Sequence, residues 1–175
     1  MTTSPVPSAA ASAPSGARTR RSVFSAPRRL YRLLALGETI TWTLLILGMV
    51  LKYGLQVTEL GVRIGGGLHG FVFLAYCAVT VLVGIDGRWG VGRILLGLGS
   101  AIVPYLTIPF ERWVERRGLL GSAWRLREDQ PTGPVESLVA IALRRPVLAG
   151  VVALVAVAVV FSVLVSLGPP TQWFA

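Results

Sequence analysis

Charge is what this sequence has least of. Only 14% of its 175 residues are Asp, Glu, Lys or Arg, and the acids number 8 in all. There is one cysteine, Cys77, so no internal disulfide can form and the redox compartment cannot be read from thiol usage. Its default role is that of a small apolar residue. There is one histidine, His69, set in the stretch GGGLHGFVFLAY. A serine hydrolase needs a base held by an acid, and a lone histidine with Glu38 on another helix does not furnish that set. Zinc needs ligands converging within about 2.3 Å of the ion, whereas Cys77 follows His69 by eight residues, about 12 Å along a helix. The glycine-rich GVGRILLGLG lacks the GK[ST] ending and preceding strand of a phosphate loop, so its glycines read as packing residues. These absences leave no catalytic set, no metal cluster and no expected cofactor. Haem held between His69 residues of two chains is the one such arrangement the composition still admits.

What is present is apolar. Hydrophobic residues make up 53% of the chain and the mean hydropathy is +0.67, which places it among membrane proteins. Four segments, 33–51, 64–85, 91–110 and 147–167, approach the roughly 20 residues needed to cross about 30 Å of hydrocarbon. The fourth carries no charge, and its many valines matter little because in lipid a backbone must bond to itself. The expected fold class is all-α: an integral membrane helical bundle with a three-helix core and a fourth, C-terminal transmembrane helix. Around it the chain divides into a basic Ser/Ala/Pro-rich tail over 1–27, read as disordered, a three-helix membrane domain over 28–117, a polar or interfacial connection over 118–145, and the last helix with a short tail over 146–175. The Ala/Ser stretch precedes the arginines and a full span follows, which is the wrong order for a signal peptide.

A net charge of +9 and a pI near 11.2 would point to nucleic acid in a soluble protein. Here the arginines gather just outside the spans, so the expected partners are the bilayer and anionic lipid head groups, not nucleic acid. A homo-oligomer or a membrane-protein partner stays open. Lys and Arg resist translocation, so Arg18, Arg20, Arg21, Arg28, Arg29 and Arg32 predict a cytoplasmic N-terminus for a multi-pass protein of the cell membrane. With four crossings, the connection that holds Arg112, Arg116, Arg117, Arg125, Arg127, Arg144 and Arg145 falls outside, against that rule. Two alternatives remain: the third segment, interrupted by Pro104 and Pro109, re-enters without crossing, or the chain inserts both ways. The stretch FERWVERRGLLGSAWRL mixes Arg with Trp and Leu and suits an interfacial helix as well as a solvated loop.

Several short motifs occur in a recognisable order: R-L-x-R-L-L-A-L-G-E ending at Glu38, L-K-Y over 51–53, H-G at His69 and Gly70, W-G-V-G-R over 89–93, and S-A-I-V-P-Y over 100–105. Together, over about 30–117, they make the chain resemble the domain of unknown function 3817 family of small bacterial integral membrane proteins. The resemblance implies a membrane location and three helices, and brings no activity. Two departures are E-T-I-T after the first-helix Glu, where the family pattern is E-G-x-S, and MVLKY without the family's proline, which implies a straighter end to helix one.

Ionisable groups at depth are costly and mark sites. Glu38 reads either as a proton carrier or ligand contact, or as the partner of Arg93 snorkelling up from the start of the third helix. Counting depth from the span edges separates Glu38 from His69 by about 12 Å along the membrane normal, so the two are not expected to touch. The expected neighbours of His69 are Lys52 and Tyr53. Gly66 and Gly70 form a small-xxx-small pair suited to close helix approach. Pro104 and Pro109 kink the third helix and free carbonyls that Ser100, Tyr105 and Thr107 could satisfy. Two functions follow: a non-catalytic accessory, scaffold or lipid-binding bundle, or a small proton-coupled transporter with Glu38 as carrier.

Overall fold

The computed structural model describes residues 26–167, the side chains of Leu164 and Val165 excepted. The basic tail expected to be disordered and the last few residues lie outside the described part. The chain is an all-helical membrane bundle: α1 is Pro27–Met49, continued by a π-helical turn Val50–Gly54; α2 is Leu60–Asp86; α3 is Val91–Ile102; α4 is Thr107–Arg116; α5 is Arg125–Glu128; α6 is Pro134–Arg144; and α7 is Pro146–Ser166. Proline sits at the first turn of α1 and of α6, where its missing N–H would be unpaired in any case.

Among the described residues three helices are long and apolar enough to cross a membrane: Pro27–Gly54, Leu60–Asp86 and Pro146–Val163. The segment expected as a continuous third span is broken. Its first half, α3, has 12 residues, about 18 Å, well short of the hydrocarbon thickness. Pro104 falls in the break, where it cannot continue the helical ladder, and Tyr105 takes a left-handed backbone (φ 66°) that a bulky residue rarely adopts. Pro109, by contrast, lies in the first turn of α4, where its missing N–H costs no helical hydrogen bond.

The chain reverses at the break. Trp42 donates its indole N–H to the Ala101 carbonyl (3.2 Å), Thr107 donates to the Ala35 carbonyl (3.2 Å), and Glu115 pairs with Arg28. Since Trp42, Ala35 and Arg28 descend α1 toward its start, α4 runs back to the end from which α3 set out. Residues 117–145 therefore share an end of the bundle with the beginning of α1, not the opposite end that four crossings would require.

Most of the core lies at that same end. Val83, Trp89, Val114, Leu120, Trp124, Leu126, Ala140 and Leu143 are buried together there. The connection is thus folded onto the bundle rather than loose. Asp86, at the last turn of α2, accepts the backbone N–H groups of Arg125 (3.2 Å) and Leu126 (2.9 Å), capping α5. The Arg125 guanidinium donates to the Asp86 carbonyl and to Glu136, each at 2.7 Å. Glu136 also accepts from the Thr132 N–H (2.9 Å), and that bond, with the Arg125 charge, pulls its carboxyl down to about 2.

Candidate functional site

The α1–α2 hairpin is built on glycine. A Cβ on Gly48 would lie 2.5 Å from the Gly61 carbonyl carbon, and one on Gly65 would lie 2.9 Å from the Leu44 carbonyl oxygen. The two backbones thus touch at Gly48–Gly61 and Leu44–Gly65, which sets the stagger of the helices. The first turn of α2 is level with Gly48, below the overhanging end of α1. From that level, His69 is eight residues on, about 12 Å, and Glu38 ten residues back, about 15 Å.

This stagger brings Glu38 and His69 together. His69 Nδ1 lies 3.2 Å from Glu38 Oε2, and the Glu38 side chain is fully buried. The expectation of two distant groups fails because it placed the outer ends of α1 and α2 in one plane. Thr41 completes the cluster: its hydroxyl donates to the Glu38 carbonyl (3.1 Å) and lies 3.3 Å from His69 Nδ1. When the Thr41 hydrogen goes to the Glu38 carbonyl, its oxygen accepts from a protonated Nδ1; when it goes to Nδ1, the imidazole nitrogen accepts. Trp42 and Phe73 flank the ring, with centroids at 4.3 and 6.1 Å. Neither Glu38 carboxylate oxygen has a partner in hydrogen-bond geometry among the described residues, even with Nδ1 at ion-pair distance.

The other expected contacts resolve differently. Arg93 is exposed and does not reach Glu38. Lys52 pairs with Glu59 (3.1 Å) and lies over the Tyr53 ring, so both belong to the overhanging end of α1 and not to His69. Gly66 and Gly70 are not the hairpin's points of backbone contact. Gly66 meets the Leu45 side chain, while a Cβ on Gly70 would lie 3.2 Å from Phe161 of α7. Gly61 and Gly65, with the same spacing five residues earlier, make the close approach.

About 10 Å further along the hairpin lies a second polar cluster that the sequence reading missed. Tyr31 and Tyr76 share a hydrogen bond (2.8 Å), Thr80 donates to Tyr31 (3.3 Å), and Tyr76 meets Ser100 of α3 (3.0 Å). The rings of Tyr31 and Tyr76 stack at 5.3 Å. The signal was in the spacing: Tyr31, Glu38 and Thr41 share one face of α1, and His69, Tyr76 and Thr80 one face of α2. Of the expected carbonyl partners at the break, Thr107 reaches across to α1, Ser100 bonds within α3 (2.7 Å to Gly97), and Tyr105 meets Thr43 (3.4 Å). The Ala101 carbonyl, freed by the break, is met by Trp42 instead.

Among the described residues no three His, Cys, Asp or Glu side chains converge as metal ligands. What the arrangement can do chemically is hold one proton between a carboxylate and an imidazole inside an apolar bundle, or fix two helices in register.

Comparisons with other proteins agree with the architecture. The family model described as a domain of unknown function (DUF3817) matches residues 28–116, just over half of the chain. A protein of Streptomyces coelicolor, named as a membrane protein, is 46% identical over 93 residues, which are 53% of this chain and 11% of that protein. The chain therefore corresponds to about a tenth of the length of the curated relative it matches. No solved structure matches it.

Proposed function

We propose that this chain, which belongs to the DUF3817 family, is a non-catalytic, multi-pass bundle of the cell membrane that serves as an accessory or scaffold subunit with its basic end against anionic lipid head groups. The observation that carries this reading is the reversal at 103–106. With α3 and α4 folded back on each other, α1, α2 and α7 are the crossings. Arg28, Arg88, Arg117, Arg125 and Arg145 then gather at one end, and Lys52 and Arg63 at the other. The charge imbalance that four crossings erased is restored, and by the preference of Lys and Arg for the cytoplasmic side the basic end faces inward. Anionic lipid there attracts each nearby Arg by about 1 kcal/mol.

In this reading the Glu38–His69 pair is a register lock. The pair is closed within the hairpin, and a buried pair of polar groups fixes which faces meet more than it stabilises. Reporter fusions test the topology: one inserted at Gln130 should report the cytoplasm and one after the C-terminus the opposite compartment. A Gln130 reporter on the outer side would overturn it.

A second reading has its own support. A buried carboxylate with neither oxygen in hydrogen-bond geometry is suited to gaining and losing a proton, which favours a small proton-coupled transporter with Glu38 as carrier. Protein reconstituted in vesicles should then move protons or a cationic dye, and Glu38→Gln should abolish this while the variant remains folded. Equal flux from both proteins would reject the carrier role.

A further inference from the structure

Arg93 and Arg117 are left without a role by the polar clusters and the hairpin. Both are exposed, and neither has an ion-pair partner among the described residues. They belong to the two helical segments that wall a single groove, Arg93 in α3 and Arg117 at the end of α4. Between α3 and α4 lies a cavity of about 200 Å³ lined by Leu96, Ser100, Leu106, Phe110 and Trp113. Ser100 bonds to Tyr76 and Gly97, so the lining is in effect apolar.

Helical spacing aligns the arginines with this lining. Arg93 precedes Leu96 by three residues on α3, and Arg117 follows Trp113 by four at the end of α4, so each shares the face that lines the groove. Arg117 is held there by stacking, its guanidinium carbon 4.7 Å from the centre of the Trp113 ring. Because α3 leaves the basic end and α4 returns to it, the groove has an apolar upper part near the break and two guanidinium groups at its lower mouth.

We infer that this groove is a specific site for one anionic glycerophospholipid, with a stretch of acyl chain between α3 and α4 and its phosphate at Arg93 and Arg117. The charge pattern selects the occupant. At the head-group level the two guanidinium groups meet phosphodiester oxygens, which suit the planar donors of Arg, and the apolar lining beyond them suits an acyl chain. The site deepens the reading of a basic end against anionic lipid by naming where one lipid is held, and it rests on that reading.

The test is native mass spectrometry of the full chain, purified in mild detergent and mixed with equimolar phosphatidylglycerol and phosphatidylcholine. Wild type should retain a single phosphatidylglycerol in preference. The double variant Arg93→Gln with Arg117→Gln should lose about tenfold of that preference. A control with the same loss of charge away from the groove, Arg29→Gln with Arg145→Gln, should lose only the general attraction of two charges and still retain a single phosphatidylglycerol in preference. Leu106→Trp, which fills the groove, should lower retention of both lipids; because it could also disturb folding, the exposed arginine pair decides the outcome. Loss of preference in the control equal to that in the groove variant, or no change in either, would overturn the site. Failure of the wider topology is read separately, by a Gln130 reporter on the wrong side.

Discussion

The α1–α2 hairpin and α7 are both apolar helices of spanning length, yet they are held in opposite ways. In the hairpin, backbones touch at Gly48, Gly61 and Gly65, and hydroxyls, an imidazole and a carboxylate meet along the seam. In α7 no residue over Pro146–Val163 is buried, and its Phe161 ring lies against Gly67 and Gly70 of α2. The difference shows that apolarity places a helix in lipid but does not choose its neighbours. Lipid tails satisfy valine as well as another helix does, so small residues that allow close packing and polar groups that need partners decide the association.

The largest effect should come from forcing the hairpin apart. Gly48→Leu puts side-chain atoms where the Gly61 backbone stands, so the yield of monodisperse protein on size exclusion should collapse, while Val155→Leu on α7 should leave it at the wild-type level. A well-folded Gly48→Leu protein would show that the hairpin is no more tightly joined than α7.

Next is the pair itself. His69→Ala removes the partner of a buried carboxylate and should destabilise by up to about 3–5 kcal/mol in a denaturant titration, less to the extent that Glu38 takes up a proton. Adding Glu38→Gln should recover much of that loss. Simple additivity of the two changes would mean the groups do not interact.

α6, which leads into α7, is tied to α2 by the latch of Asp86, Arg125 and Glu136, and there acid should act where it spares the hairpin's packing. The Glu136 carboxyl is depressed in the fold, so its stabilisation is complete above the ordinary carboxylate range and is lost as pH falls toward about 2. An acid-stable protease should cut within 118–145 more readily at the low end of that window. Cutting that does not change with pH would remove Glu136 from the latch.

Smaller still is Thr41→Val, which deletes one hydroxyl from the cluster and should cost about 0.6, at most about 1.7 kcal/mol. Val155→Leu, facing lipid, should stay within about 0.5 kcal/mol. Equal effects of the two would erase the contrast between hairpin and α7.

How much of this was legible in the sequence follows from the same contrast. Long apolar runs announce themselves, so the helical membrane class and the last span were readable from composition alone. Pro104 marked the break, but whether the chain kinks or reverses depends on Ala101, Thr107 and Glu115 finding partners across on α1, which no local pattern reveals. The Glu38–His69 contact was hidden for a related reason. Depth counted from the edge of each span assumes level helix ends, while the stagger is set by Gly48 on Gly61, a contact between residues that are unremarkable one at a time. Gly66 and Gly70 showed the right spacing five residues further along α2.

The most direct measurement exploits the fact that His69 is the sole histidine, so a ¹⁵N-histidine label reports on it alone. In protein reconstituted in bilayers and labelled with ¹³C at glutamate side-chain carboxyls, rotational-echo double-resonance NMR measures the distance from the ring nitrogens to the nearest such carbon. The account predicts strong dephasing of one carboxyl carbon, as an oxygen 3.2 Å from Nδ1 requires, and its disappearance in Glu38→Gln. Absence of dephasing in the wild type would contradict it.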